Sequence, residues 1–99
     1  MSAAAPGLAP DPDTFVPVAP RWFLMNTGGV VMNGVLAMTT KRRSYQLLFW
    51  GAVAVHAAEA VYAYRAAQRA GFVRSAPRWA MQTLAVGFPS LLALHKARG

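Results

Sequence analysis

The chain has no cysteine, so disulfides, thiolate zinc sites and cysteine nucleophiles are excluded. Acids are nearly absent too: Asp11, Asp13 and Glu59 face ten Lys+Arg, for a net charge of +7. Charge of either sign is scarce, at 13% of residues against 56% hydrophobic. A soluble domain usually carries about 25% charged residues. Ninety-nine residues with this little polar surface cannot clothe a water-soluble globule. Disorder over most of the chain is excluded by the same composition, because disordered segments are poor in apolar residues. The common catalytic sets are missing: there is no P-loop, no GxSxG and no HExxH. Ser44, Ser75 and Ser90 have no base and acid partners visible in the sequence. Gly28-Gly29 lies in an apolar span and reads as packing, not as a phosphate loop.

What is present is long apolar runs. Residues 22–40 hold no charge and end at Lys41-Arg42-Arg43. As a helix this run is about 28 Å long, near the hydrocarbon thickness of a bilayer. Residues 44–64 contain only His56 and Glu59 as histidine or acid, and Arg65 and Arg69 follow. Gly71 suits the position after a helix end, so this helix is expected to project as far as Ala70. Ser75 is the expected N-cap of a third span over 77–95, with Pro77 in its first turn. Pro89 leaves the Ala85 carbonyl without its helical donor and is expected to kink that span. Residues 1–20 hold five of the seven prolines and read as a flexible, disordered Pro/Ala-rich tail ahead of a transmembrane domain over 21–99. This stretch lacks the cationic start and apolar core of a signal peptide and the arginines of a transit peptide.

A soluble three-helix bundle would show a charged face on each helix. None of the three runs has one. Aromatic residues gather instead near the span ends, at Trp22, Tyr45, Trp50, Tyr62, Tyr64 and Trp79, as an interfacial belt would. The fold class is therefore all-α, an integral membrane protein with three transmembrane helices. The cations sit at helix ends, where they meet anionic headgroups. No basic stripe or reading motif points to nucleic acid. Three straight spans put Arg21, Arg65, Arg69, Arg74 and Arg78 on one side and Lys41, Arg42, Arg43, Lys96 and Arg98 on the other. The positive-inside count ties, so orientation is undetermined at this level.

His56 and Glu59 are the sharpest chemical feature. Three apart on a helix, they share a face in the middle of the second span. An ionised carboxylate at mid-bilayer costs about 2.5–3.5 kcal/mol on insertion scales, so this face must meet protein or trapped water. The structural reading pairs Glu59 with His56 or ties it to polar groups on the neighbours: Asn26, Thr27 and Asn33 on the first helix, Gln82 and Thr83 on the third. The chemical reading makes His56 and Glu59 an acid–base pair of a lipid- or sterol-modifying enzyme. Desolvation favours a neutral carboxylic acid, and a neutral acid can deliver the proton that double-bond isomerisation needs. Two ligands do not complete a metal shell, and no cofactor or metal is expected. Asn26, Gly29 and Asn33 lie on one side of the first helix and suggest close packing there. Thr83, Gly87 and Ser90 form a small polar seam on the third, beside Gln82 and Pro89. The alanine-rich second helix is approachable from both sides and is expected to be central.

The order Trp50, His56-x-x-Glu59-x-x-Tyr62-Ala63, Gly71, Trp79-x-x-Gln82-Thr83-x-x-x-Gly87-x-x-Ser90-Leu91 resembles the transmembrane protein 254 family, over roughly residues 47–96. That resemblance implies a small three-helix membrane protein built on a domain of unknown function, and it implies no reaction. His56, Glu59, Gln82 and Thr83 match the family's polar motif positions. The expected role is a non-enzymatic multi-pass membrane protein that binds lipid, a partner membrane protein or another copy of itself through these polar faces. Which membrane holds it is not readable.

Overall fold

A computed structural model describes residues 11–99 of the chain. Among these every regular element is helical. Helix α1 (Pro20–Trp22) passes through a π-helical turn (Phe23–Thr27) into α2 (Gly28–Thr40), making one rod over 20–40. Lys41 stops it with a left-handed backbone, φ 57°, and Arg42 is extended. Helix α3 (Arg43–Arg69) then returns antiparallel. It closes in a Schellman motif: the Phe72 N–H donates to the Ala67 carbonyl at 2.8 Å and the Gly71 N–H to Gln68 at 3.1 Å. Gly71, with φ 93°, supplies the positive φ that this motif needs, as the sequence suggested.

The expected third span is instead two helices, α4 (Ala76–Val86) and α5 (Phe88–Ala97), broken at Gly87. They fold back on each other as a helical hairpin. In a straight helix Thr83 and Ser90 are about 10 Å apart along the axis, whereas here their hydroxyls are 2.8 Å apart. Leu94 and Ala97, at the end of α5, pack in one cluster with Phe72, Ala76 and Trp79 at the start of α4 and with Ala63, Ala66 and Ala67 on α3. His95 reaches Tyr62, with ring centroids 6.3 Å apart. Eleven and ten residues are each too few to cross a bilayer, which takes about 17–25. The cause is backbone chemistry: Gly87 takes φ 76° and ψ −138°, and Pro89 only starts the new helix. The expected kink at Pro89 is thus a full reversal two residues earlier, at Gly87.

One helix, α3, is by itself long and apolar enough to cross a membrane. A core helix of a soluble protein would be mostly buried, but only 11% of the apolar window of α3 is. The rest of the surface agrees. Leu24 is 78% exposed and Met38 79%, and Met25, Val31, Met32, Leu47, Leu48, Trp50, Val55, Met81 and Leu92 are exposed as well. Contiguous apolar surface on this scale marks a membrane or partner contact. α3 is central, as the alanine pattern suggested: it packs on α2 along one side and on α4 and α5 along another.

The expected flexible tail through residue 20 needs correction in its second half; the part over residues 1–10 lies outside the described residues. Residues 12–18 run along α4. The Pro12 carbonyl accepts from the Arg74 and Ser75 N–H groups. The Thr14 carbonyl accepts from the Ser75 hydroxyl and, at 3.0 Å, from Trp79 Nε1. Ser75 therefore precedes α4 without capping it through its side chain. Phe15 meets Trp79 edge-on at 5.0 Å, and the Arg78 guanidinium lies 4.3 Å over the same Phe15 ring. The prolines explain how extended backbone survives here: Pro12, Pro17 and Pro20 bring no N–H that needs a partner.

The helix-packing glycine of the rod is not Gly29. A Cβ on Gly28 or Gly29 meets nothing within 4 Å, while one on Gly34 lies 2.9 Å from Phe49 Cε1. Gly29→Ala is expected to raise stability by about 0.5–1 kcal/mol through backbone entropy. Gly34→Ala is expected to lower it, because overpacking costs about 1–3 kcal/mol. Unfolding titrations in mixed micelles check both, and equal stabilities would refute the close Gly34–Phe49 approach.

Candidate functional site

The polar motif residues converge on the break at Gly87. Beyond Val86 the α4 ladder cannot continue, because Gly87 turns away and Pro89 has no N–H. The carbonyls of Leu84 and Ala85 are left without helical donors. His56, from α3, supplies one: its Nδ1 lies 2.8 Å from the Leu84 oxygen. A carbonyl only accepts, so Nδ1 carries the proton in this bond. Thr27, from the π-helical turn, supplies the other, its hydroxyl donating to the Ala85 oxygen at 2.7 Å. Two neighbouring helices thus complete the hydrogen bonding of a third.

Glu59 lies against the same point. A Cβ placed on Gly87 would be 3.2 Å from His56 Nε2 and 3.3 Å from Glu59 Oε1. The ring and the carboxylate therefore flank the bare Gly87 Cα and would have to give way to a Cβ, while φ 76° strains any residue but glycine there. The expected His56–Glu59 ion pair does not form; the one ion pair among the described residues is Arg74–Asp13, on the surface. Glu59 is half-buried and makes no hydrogen bond among the described residues.

A second polar knot holds the hairpin shut. Buried Gln82 and Thr83 both donate to Ser90 Oγ, at 3.1 and 2.8 Å. Gln82 also works sideways as a strand would: its Nε2 donates to the Val16 carbonyl at 3.2 Å, and its Oε1 accepts from the Val18 N–H at 2.9 Å. So Gln82 binds the extended segment and not α3. No buried side-chain nitrogen or oxygen among the described residues lacks a partner. Thr83, Gly87 and Ser90 do assemble, but through chain reversal and not as a seam along one helix.

Asn26 and Asn33 stay outside this junction. Asn26 Nδ2 donates to the Trp22 carbonyl of its own rod at 3.2 Å. Asn33 is half-buried and makes no side-chain hydrogen bond among the described residues. The π-helical turn explains the mismatch, since its wider turn shifts the helical face on which a 3.6-residue reading relies. Residues missed by the sequence reading are those of the docked segment and their partners Ser75 and Trp79. Their available signal was the apolar set Phe15, Val16 and Val18 between prolines, which is not the composition of a solvated tail. Among the described residues no group of three metal-ligating side chains assembles.

A family model described as Transmembrane protein 254 matches residues 13–96. The match takes in nearly all of the docked segment and of the helices, leaving out only Pro12 and Ala97. No curated protein and no solved structure matches the chain.

The Gly87 junction makes a measurable claim. Gly87→Ala is expected to cost about 1–3 kcal/mol, since its backbone region is nearly closed to other residues, and more if His56 is displaced. Thr27→Val and His56→Phe each orphan one carbonyl and are expected to cost about 1–3 kcal/mol. Denaturation in detergent micelles measures all three; a neutral Thr27→Val would show that Ala85 finds another donor.

Proposed function

The chain belongs to the transmembrane protein 254 family, and on that premise we propose that it is a non-enzymatic multi-pass membrane protein, an accessory unit that offers its outer faces to lipid, a partner membrane protein or a second copy. The observation that carries this reading is the use made of the motif's polar residues. His56 Nδ1, Thr27, Gln82, Thr83 and Ser90 are all engaged in holding a broken helix and a docked segment. Backbone that leaves helical geometry at membrane depth needs such partners. That demand accounts for these five polar residues without a reaction, and leaves Glu59 outside it.

The topology that fits is two crossing rods, residues 20–40 and α3, with α4 and α5 as a re-entrant hairpin. Its apex lies beside His56, midway along α3, and α4 is about 16 Å long, half a hydrocarbon core. In this arrangement Lys96 and Arg98 return to the side of Arg21, Arg65, Arg69, Arg74 and Arg78. The charge tie becomes seven against three, with Lys41, Arg42 and Arg43 opposite. The positive-inside rule then sets the larger group in the cytoplasm.

The absence of cysteine gives a clean test. Ser44→Cys, Val73→Cys and Gly99→Cys are each labelled with an impermeant maleimide in sealed vesicles. Positions 73 and 99 are expected to react from one side and position 44 from the other. Reaction of 99 together with 44 would restore a straight third span.

One observation favours the rival acid–base reading: Glu59 and His56 Nε2 face a common point with no partner for the carboxylate among the described residues. Glu59→Gln separates the two. The expected outcome is intact assembly with an unchanged membrane lipid profile; intact assembly with an altered profile would favour catalysis.

A further inference from the structure

The extended segment does more than cover α4. Between it and α5 lies a groove of about 820 Å³, within the usual range for a small-molecule site. Val16, Val18 and Ala19 form one wall, Leu92 and Ala93 the other, and Trp22 and Pro89 close the inner end. The lining is apolar along its length. Its charged or ionisable side chains, His95 and Lys96, sit together near the end of α5, on the cation-rich side of the molecule. No acid among the described residues lines it.

We propose that this groove holds an acyl chain of one acidic phospholipid, with the headgroup phosphate against Lys96 and His95. The inference rests on the membrane topology proposed above, which sets the cationic end at the interface and the Trp22–Pro89 end toward the hairpin apex. Length and polarity then match a lipid: charge recognition at the water-facing end, only carbon beyond it. The missing acid matters as much as the cations present. With no acid to offset Lys96, the mouth of the groove favours a headgroup of net negative charge over a neutral zwitterion.

The test uses the full chain in nanodiscs of phosphatidylcholine with a minor fraction of phosphatidylserine. A photoreactive benzoylphenylalanine replaces Leu92, which is exposed and makes no polar contact. Crosslinked phosphatidylserine is expected at about five times its share of the disc, the scale of one interfacial cation. Lys96→Gln is expected to return that ratio to the bulk value, and Arg43→Gln, at the opposite end, to leave it enriched. A bulk ratio in the parent protein overturns the site while leaving the membrane reading intact. Crosslinks to residues 1–10 or to a second copy also overturn it, by identifying another occupant. Failure of the folded chain to enter nanodiscs at all sinks the membrane reading itself and the site with it.

Discussion

Hydrocarbon supplies no hydrogen bonds, so every backbone carbonyl that leaves a helix inside it must find a protein donor. In the topology proposed above, the break at Gly87 is where this chain meets that demand. Two consecutive carbonyls, Leu84 and Ala85, lose their ladder partners, and donors arrive from two different rods. That requirement fixes the depth of the hairpin against α3 and the rotation of the rod over 20–40. It also favours glycine at the apex, because φ 76° strains any other residue and His56 and Glu59 would have to give way to a Cβ.

The same demand shapes the rest of the interior. Among the described residues four polar side chains share the interior with ten apolar ones, and large apolar side chains also cover the outside, unlike the charged exterior of a soluble bundle. Ser75, Gln82, Thr83 and Ser90 are buried, while leucines and methionines ring the surface. Gln82 stands in for a strand edge, serving an extended segment whose prolines reduce the number of donors to be met. Beside the apolar cluster around Trp79, Phe72 and Leu94, small residues and fitted hydrogen bonds hold the helices together. Alanines at 63, 66 and 67 let α4 and α5 come close to α3, and Trp79 fills the space that remains.

Much of the candidate site was legible. His56, Glu59, Gln82, Thr83, Gly87 and Ser90 were singled out because polar residues and glycine are costly or rare in apolar spans, and all six meet at or beside the hairpin. Their pairing was not legible. Reading His56 with Glu59 assumed that neighbours on one helix satisfy each other first, whereas the orphaned backbone at Leu84 has the stronger claim on the imidazole. Asn26 and Gly29 were misread for other reasons: Asn26 lies in the π-helical turn, where a 3.6-residue face does not hold, and Gly29 lies in regular α2 where nothing packs within 4 Å of a Cβ placed on it.

Composition alone pointed to an all-α membrane protein, because 13% charge over 99 residues admits few ways to meet water, and among the described residues α3 is long and apolar enough to cross a membrane. Helix ends at Thr40 and Ala70 were also local matters, set by the basic cluster and by Gly71. The reversal at Gly87 was decided by tertiary structure. A glycine two residues before a proline permits a kink, a break or a full turn at similar local cost, and only donors on other helices distinguish them. The docking of residues 12–18 belongs to the same category, since extended backbone becomes stable there only once Gln82, Ser75 and Trp79 are in place to receive it.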